Sequence, residues 1–542
     1  MSTCFWRPIG LTQSSQAGVC TFHSAPLLWV HSASMNANDR LYTDRYPFTG
    51  LTFNYSRSDW SSQCALAASH GIDAFALNVG SPDEWQLQQR LMRLRQQPEL
   101  SLNSSRTSSL SGFELTMCHI TVQLIQTAED VTTWVTSFVP LSAQLLIEGR
   151  PLISTFSGEN NKLGGVDLSA GWNAALKGPL ARLSPPLNAL FIPAWSGLDP
   201  NTAVSNNPVV DGIMTWNSWP SGSESTNTIN DYEFQTNAKA SQKLYMAGVS
   251  PCFFTHYEDK NWIYRSPAEV AACSRSGKVN SPAHQYLLID DNLYISRWMK
   301  LISMPNPPDF IQIISWNDYG ESHYIGPKLG TPPTGTTWLL VARQRNFLKA
   351  VGGLTCISCL DGFDHQSWLK MSDYYIKWYK TGARPTIEED TVHFNYRPHS
   401  VNAIATSDRL PQPTNASLSA DAIYASTYLT SSSKATQLRI RIGDMQQSFT
   451  NITKSEVNTF TAPWNGHTGR VEVALLDSSG KELMKRHGEV PINNDIKRYN
   501  FNYAAGILSK ETSGADPALL PRAPILLSLF IYHALLYLHG SM

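Results

Sequence analysis

The chain has 542 residues, of which 16% are charged and 11% are aromatic, and its formal net charge at pH 7 is −1. Globular proteins carry about 25% charged residues, so this low charge fraction with many aromatic side chains excludes a disordered chain. The near-zero net charge lacks the basic excess of polyanion-binding proteins, so nucleic acid is not an expected partner. The length is sufficient for a large core and a second module.

Residues 1–45 are interpreted as an atypical N-terminal segment. Its most apolar stretch, "APLLWV", is too short and too far along the chain to be the hydrophobic region of a signal peptide. A leader for export is therefore not visible in this segment.

Residues 46–385 alternate short apolar runs with helical stretches. The runs are nearly continuous and are bounded by Gly, Pro or Asn, which is typical of strands buried on both faces of a parallel sheet. Six such strands are predicted, at 72–80, 144–156, 187–195, 210–216, 244–251 and 310–318.

Helices are predicted between these strands, for example in "SDWSSQCALAASHG" and "NLYISRWMKLISM". Strand–helix alternation over this length predicts an α/β fold with a (β/α)8 TIM-like barrel. Two strands are lacking in this interpretation. One is expected before residue 55, where "RYPFTGLTFNY" is a poor candidate, and another within the irregular, polar stretch 90–125. The stretch 339–363 is also irregular.

From residue 391 the pattern changes to strict alternation of apolar and polar side chains. "QLRIRIG" (437–443), "RVEVALLD" (470–477) and "RYNFNYA" (498–504) show it most clearly. One apolar face per strand is typical of antiparallel sheets, so we predict an accessory β-sandwich over 391–505.

The tail, 506–542, contains the apolar segment 524–538, "PILLSLFIYHALLYL". It is short for a transmembrane helix, but small residues, a spacer and an apolar end are typical of a lipid-anchor signal. Attachment to a membrane or wall through this tail is one interpretation, and a docking helix is the other.

The eight cysteines do not indicate a metal site. Cys356 and Cys359 form a CxxC pair, but no second pair completes a zinc site. Cys252 and Cys273 are candidates for a disulfide. No metal and no cofactor is expected.

The strongest chemical motif is "SWNDYGESHYIGP", residues 315–327, which follows the last predicted strand. It places Asp318 and Glu321 at the carboxyl end of that strand, where active sites of parallel barrels lie. Two acids in different environments can act as the general acid and base of glycoside hydrolysis. A structural turn and a metal corner are the alternatives for this pair.

Several polar and aromatic residues near the predicted strand ends are candidates for binding sugar, since aromatic rings stack on sugar faces. Each has an alternative interpretation as a turn former, a loop residue or part of the core. These candidates are Asn78, Trp216, Trp219, His256, Trp316, Asn317, His323 and Tyr324. Glu159 and Asp199 are weaker candidates, and Asp211, which begins a strand, is interpreted as structural.

Four segments in this order, "GIDAFALNVG", "VDGIMTWNSWP", "VSPCFFTHY" with "KNWIY", and "WNDYGESHYIGP", resemble glycoside hydrolase family 71, the fungal α-1,3-glucanases or mutanases. The resemblance implies a (β/α)8 catalytic domain and inverting hydrolysis of α-1,3-glucan without a metal. Asp318 and Glu321 match the family's catalytic acids, and Asp73 matches a third important acid. Asp73 opens its strand, however, where acids usually cap or form salt bridges.

The sequence therefore predicts a monomeric, extracellular or wall-associated hydrolase whose partner is α-1,3-glucan. The alternative is a non-catalytic glucan-binding or wall surface protein with the same fold.

Overall fold

The structure is a computed structural model. It describes residues 27–32, 57–79, 119–122, 127–140, 144–219, 228–257, 260–263, 292–328 and 362–513. In 27–32, 57–60, 77–79, 119–122, 228–229 and 260–263, and at Phe138, Tyr257 and Leu418, it describes the backbone path only.

Eleven strands lie in the first part of the chain, and eight of them run parallel in one sheet. The exceptions are β4, which pairs antiparallel with β5, and the separate hairpin β9–β10. The strands are β1 Leu27–Ser32, β2 Ala74–Val79, β3 His119–Val122, β4 Leu146–Ile147, β5 Arg150–Thr155, β6 Leu190–Phe191, β7 Gly212–Thr215, β8 Leu244–Val249, β9 Phe254–Tyr257, β10 Lys260–Ile263 and β11 Phe310–Ile314.

Strand β1 lies between β2 and β11, with Trp29 opposite Ala74 and Leu27 opposite Phe310. The sheet continues through β3, β5 and β6 on one side and through β8 and β7 on the other. Hydrogen bonds also join β6 to β7: Asp211 N–H donates to Phe191 O and Met214 N–H to Pro193 O, each at 2.8 Å. Each parallel strand is thus bonded to the next in chain order, and β11 to β1.

All six predicted runs contain a parallel strand, and the two strands that were lacking are β1 and β3. The strand expected before residue 55 is β1, in "LLWVHS"; the poor candidate "RYPFTGLTFNY" lies outside the described residues. A run too short for a signal peptide is long enough for a buried strand, which needs only about four to eight apolar residues. The run 144–156 forms a hairpin, because Glu148 (φ 51°) and Gly149 (φ 74°) make a tight turn between β4 and β5.

Side chains of the parallel strands alternate between two apolar clusters, because successive residues of a strand point to opposite faces. One cluster contains Leu152, Met214, Met246 and Ile314 together with the other inward-facing residues. The other contains the residues next to them, such as Ile153, Ile213, Tyr245 and Ile311, packed with tryptophans of the helices, including Trp134, Trp298 and Trp368.

Six helices flank the sheet: α1 Arg57–Ser69, α2 Ala128–Phe138, α3 Leu168–Trp172, α4 Thr228–Ala240, α5 Leu293–Ile302 and α6 Gln366–Thr381. Helix α3 continues as a π-helical turn, Asn173–Lys177, and a last helical turn, Gly178–Ala181. Helix α2 begins with a capping box, in which Thr127 and Asp130 each accept the other's backbone N–H at 3.1 Å. Helix α6 ends at Gly382, whose φ of 69° suits a left-handed C-cap.

The C-terminal part contains two four-stranded antiparallel sheets, with orders β16–β13–β12–β19 and β15–β14–β17–β18. Phe394 and Ile423 of the first sheet and Ile440 and Val473 of the second lie in one buried cluster, so the apolar faces of the sheets contact each other. The strands are β12 Thr391–Tyr396, β13 Ala422–Tyr428, β14 Gln437–Ile442, β15 Met445–Phe449, β16 Val457–Pro463, β17 Val471–Leu476, β18 Glu482–His487 and β19 Ala504–Leu508.

The strand predicted at 498–504 is wrong, since strand β19 begins only at Ala504 and crosses the boundary predicted after residue 505. The reason is that Phe501 and Tyr503 are engaged elsewhere. Phe501 packs with Phe254, Tyr319 and Tyr324, and Tyr503 lies in the cluster of the parallel sheet and its helices.

Within the described ranges, none of the helices combines the length and the apolar character that crossing a membrane requires. The apolar segment 524–538 lies outside those ranges.

Candidate active site

The acid motif forms a hairpin directly after β11. Ser315 N–H donates to His323 O, Ile325 N–H to Ser315 O and Gly326 N–H to Trp316 O, each at 2.9 Å. Residues 317–322 are the loop of this hairpin and carry both acids. The hairpin therefore lies at the carboxyl end of the parallel strands, the end at which such sheets bind ligands.

The segment from the end of β8 to the start of β9 donates hydrogen bonds to the backbone of this hairpin. Ser322 is buried with φ at 62°, a left-handed conformation that costs a non-glycine residue about 1–3 kcal/mol. The Cys252 thiol donates to the Ser322 carbonyl at 3.2 Å, and Phe254 N–H donates to the Glu321 carbonyl at 3.0 Å. Cys273, the disulfide partner suggested for Cys252, lies outside the described residues.

The two acids are held together through the backbone of the loop. Asp318 Oδ1 accepts the Glu321 N–H at 3.0 Å, and Asp318 N–H donates to Ser315 Oγ at 3.0 Å. The side chains are 24% exposed for Asp318 and 23% exposed for Glu321. One oxygen of each carboxylate lies within 4.8 Å of the other. The backbone of both residues is thus held by hydrogen bonds, and part of each side chain is exposed to solvent.

His323 lies beneath this pair and is buried. Its Nε2 is 3.1 Å from Glu321 Oε2 and 3.9 Å from Asp318 Oδ2, and its Nδ1 is 2.8 Å from Ser315 Oγ. The ring centroid lies 5.2 Å from that of Trp219 and 5.8 Å from that of Phe253. The predicted candidate His323 is therefore part of the acid cluster.

Trp219 and Trp216 are half-buried and lie where the inward-facing cluster meets the carboxyl ends of the strands. Trp219 Nε1 donates to Cys252 O at 2.7 Å, which fixes the indole beside His323. Trp216 packs edge-on against Phe156, with ring centroids 4.8 Å apart. Both are only partly buried, and Trp219 lies next to His323 of the acid cluster, as a sugar-stacking platform there requires.

Three predicted sugar-binding residues of the motif are instead buried. The Trp316 indole donates to Gln63 Oε1 at 2.8 Å and packs against Phe75, so it joins β11 to α1 and β2. Tyr324 stacks on His365 with ring centroids 4.0 Å apart. Asn317 is also buried. The prediction is wrong for Trp316 and Tyr324, and the burial of Asn317 argues against its role too. A position near a strand end does not tell which way the side chain points.

His256 is also placed away from the acids. Its Nε2 lies 2.9 Å from Asp408 Oδ2, and both side chains are buried. Asp408 additionally accepts the Tyr499 N–H at 2.8 Å. Burial raises the pKa of Asp408, but the hydrogen bonds from His256 and from the backbone outweigh it and lower the pKa below its ordinary value. The contacts connect β9 with the C-terminal sheets and argue against sugar binding by His256.

Asp73 immediately precedes β2, at the opposite end of the strands from Asp318. Its Oδ1 accepts a hydrogen bond from Lys380 Nζ of α6 at 2.5 Å. Asp73 is therefore not brought together with Asp318 and Glu321. This placement argues against the predicted catalytic role and favours an ion pair that joins strand and helix.

The remaining acids near strand ends have structural contacts. Asp211 pairs with Arg150 and Lys177, both at 2.7 Å; burial raises its pKa, and these partners more than offset this, so the pKa lies below its ordinary value. Glu159 Oε1 accepts the Gly197 N–H at 3.2 Å, and Asp199 Oδ1 accepts the Asn201 N–H at 3.0 Å. The backbone of Asn78 lies near the carboxyl end of β2, and its side chain lies outside the described set.

Sequence reasoning missed three residues of the site: Ser315, Cys252 and Phe253. Ser315 looked like part of a buried strand, and Cys252 was considered only as a disulfide partner. The signal for Cys252 and Phe253 was their position directly after a predicted strand, at the same end of the sheet as the acids.

The metal interpretation of the motif has a geometric basis, since Asp318, Glu321 and His323 offer ligand atoms within 4.8 Å of one another. The hydrogen bonds argue against it. An ionised Glu321 carboxylate can only accept, so the imidazole proton is assigned to Nε2, which lies 3.1 Å from Glu321 Oε2 and donates to it instead of offering a lone pair to a metal. In this tautomer Ser315 Oγ donates to His323 Nδ1 at 2.8 Å and accepts from Asp318 N–H at 3.0 Å.

A carboxylate pair at the carboxyl end of parallel strands, with aromatic rings beside it, is the arrangement of a glycoside hydrolase. The chain belongs to glycosyl hydrolase family 71, whose sequence profile matches residues 46–279 and 280–517.

Three curated relatives are similar over most of the chain. A glucan endo-1,3-alpha-glucosidase of Schizosaccharomyces pombe is 31% identical over 466 residues, covering 85% of this chain and 92% of that protein. An ascus wall endo-1,3-alpha-glucanase of the same yeast is 29% identical, covering 85% of this chain and 95% of that protein. A mutanase of Penicillium rubens is 26% identical, covering 87% of this chain and 90% of that protein.

Proposed function

We propose that this member of the family hydrolyses the α-1,3-glucosidic bonds of glucan, with Asp318 and Glu321 as general acid and base. The observation that carries this proposal is the pairing of the two carboxylates, each about one-quarter exposed, within 4.8 Å at the carboxyl end of the sheet. The substrate follows from the motif resemblance and from the names of the relatives, all of which are α-1,3-glucanases or mutanases.

The fold that we infer is a (β/α)8 barrel followed by a β-sandwich. Support for the barrel comes from the hydrogen bonds that link β6 to β7 and β11 to β1, since these pairings leave none of the eight parallel strands with an unpaired edge. Support for the sandwich comes from the apolar cluster shared by the two antiparallel sheets. The barrel domain would span about 27–385 instead of 46–385, because β1 belongs to it, and the sandwich would extend through β19.

In the proposed mechanism one carboxyl group donates a proton to the leaving glycosidic oxygen, and the other activates the attacking water. Two carboxylates this close repel each other, which favours the singly protonated pair that acid–base catalysis needs. The hairpin fixes the backbone of both residues, and the exposed tips of their side chains face the solvent from which substrate and water arrive.

The aromatic rings define where the sugar would bind. Trp219 and Trp216 flank the carboxyl ends of the strands and are only partly buried, and an indole stacks well on the apolar face of glucose. The substrate would thus be α-1,3-glucan lying across the acid pair. A polysaccharide of the fungal wall implies action outside the cell or in the wall, which is the location we propose.

The test is hydrolysis of insoluble α-1,3-glucan by the purified full chain, with β-1,3-glucan and α-1,4-glucan as matched substrates. We expect reducing ends to appear from α-1,3-glucan alone. Asp318→Asn and Glu321→Gln should each lower kcat by about 10²–10⁴-fold, the usual contribution of a general acid or base, without a change in Tm. Binding without release of reducing ends by the parent protein, or full activity of both variants, would contradict the proposal.

A further inference from the structure

His323 is the one group in the described site that contacts both the acid pair and the platform beside it. On one edge its Nε2 faces Glu321 and Asp318, and on the other its Nδ1 faces Ser315. Its ring also packs against Trp219 and Phe253, which contact each other. With Nε2 protonated opposite the Glu321 carboxylate, the donors form a chain: Asp318 N–H to Ser315 Oγ, Ser315 O–H to His323 Nδ1, and His323 Nε2–H to Glu321 Oε2.

This chain of hydrogen bonds begins and ends on the two acids. It starts at the backbone of Asp318 and ends at the carboxylate of Glu321, and a direct bond from Glu321 N–H to Asp318 Oδ1 closes it into a ring. Because the imidazole is buried and packed against two aromatic rings, it cannot turn away without disturbing both. The separation of the two carboxylates is therefore set by the imidazole as well as by the loop.

We propose that His323 is a positioning residue for the reaction, which holds the Glu321 carboxylate beside Asp318 and couples it to the indole of Trp219. This inference rests on the proposed roles of Asp318 and Glu321. The physical reason is repulsion: two carboxylates within 4.8 Å push apart, and the side chain of Glu321 has three rotatable bonds with which to move. A donated N–H at 3.1 Å opposes this movement and leaves the second oxygen of Glu321 for its task.

The inference predicts a selective loss of kcat. His323→Leu removes the donor but keeps an apolar side chain in contact with the two aromatic rings, so Glu321 loses its fixed position. A misplacement of about 1 Å lowers the rate by about 10²-fold, which is the expected fall in kcat on soluble α-1,3-linked oligosaccharides. His323→Gln places an amide donor near the position of Nε2, so it should recover about tenfold of this loss, in the range that outer-shell hydrogen bonds contribute. KM should change little in either variant.

The control is His70→Gln, which alters another histidine–carboxylate pair, 2.5 Å between His70 Nδ1 and Asp373 Oδ1, away from the acids. It should retain the kcat of the parent. If His323→Leu fails to fold, Ser315→Ala serves instead, since it keeps the imidazole but removes the hydroxyl that fixes its tautomer. Its kcat should fall by about tenfold with KM unchanged.

The outcomes separate this inference from the proposed function. A folded His323→Leu variant with the kcat of the parent overturns the positioning role, as does a His323→Gln variant that is no more active than His323→Leu. An unchanged kcat in Ser315→Ala has the same meaning if that variant is the one tested. Full activity of Glu321→Gln, in contrast, contradicts the catalytic assignment itself.

Discussion

Asp73 and Asp318 lie at opposite ends of the parallel strands. Asp73 comes directly before β2 and binds Lys380, whereas Asp318 follows β11 and contacts Glu321. Strands β2 and β11 are both parallel neighbours of β1, so the two aspartates cannot share a substrate through the thickness of the packed sheet interior. An acid before a strand and an acid after a strand therefore have different roles, although both occur in family motifs.

The first prediction concerns Asp73. Asp73→Asn removes an ion pair whose two side chains are about one-quarter exposed, 28% for Asp73 and 26% for Lys380. Pairs of this exposure contribute about 0–1 kcal/mol, so thermal unfolding should show a Tm lower by about 2 °C or less, with kcat nearly unchanged. Lys380→Met should reproduce this result. A loss of kcat by orders of magnitude at an unchanged Tm would show instead that Asp73 takes part in catalysis.

The acid hairpin could be predicted from sequence because its signals are local. A continuous apolar run ends at Ile314, and the acids follow within a few residues, so the end of the sheet at which they lie is fixed. The same reasoning located six of the eight parallel strands. Strand β1 was missed because "LLWVHS" carries no alternation and lies apart from the other strand–helix units.

The partners of the site residues could not be predicted, because they depend on contacts between distant parts of the chain. His256 meets Asp408, which is 152 residues further on, and Trp316 meets Gln63, which is 253 residues earlier. Local spacing placed both residues near a strand end but did not reveal that their side chains point into the packed layers. The structure places Trp216, Trp219 and His323 near the carboxyl ends of the strands, as their positions in the sequence predict. Their contacts with other residues lie at this same end of the sheet, and their role in sugar binding stays a prediction.

The second prediction concerns Trp219 as a sugar platform. In the Glu321→Gln background, which prevents turnover, Trp219→Ala should weaken retention on insoluble α-1,3-glucan by about tenfold, since an aromatic contact contributes about 0.5–1.5 kcal/mol. Tyr232→Ala is the control, because Tyr232 is a half-exposed aromatic residue on α4. Equal retention of both variants would exclude Trp219 from the binding surface.

The third prediction concerns the stereochemistry of hydrolysis. Inverting enzymes separate their carboxyl groups by about 6.5–9.5 Å to admit a water, whereas the nearest oxygens of Asp318 and Glu321 lie within 4.8 Å. We propose inversion, in which sugar and water enter between the two side chains and the Asp318 carboxylate turns away from the Glu321 carboxylate that His323 holds. Proton NMR of the first product should then show the β-anomer before mutarotation. An initial α-anomer would indicate retention and a nucleophilic role for one of the two carboxylates.

The last prediction concerns the stability of the fold in acid. His393 of β12 is buried against Ser367 of α6, and burial lowers the pKa of His393 from 6.5 to about 4, although hydrogen bonding to Ser367 partly opposes this. Above pH 6.5 the ring is neutral in both the folded and the unfolded chain, so it has no effect on pH dependence. As the pH falls from 6.5 towards 4, the unfolded chain takes up a proton that the folded chain does not.

The free energy of unfolding should therefore decrease over this window, by roughly 2–3 kcal/mol from His393 between pH 7 and pH 4.5. His393→Asn retains a hydrogen-bonding group near Ser367 but has no titrating ring. Urea unfolding at both pH values should show a smaller decrease for this variant than for the parent. The control is His467→Asn, because the His467 side chain is 40% exposed and stays in contact with water in both states. An identical decrease for the parent and for His393→Asn would rule out this ring as the cause, and the acid sensitivity of the fold would then lie with other groups, such as His365, whose pKa burial lowers to about 3.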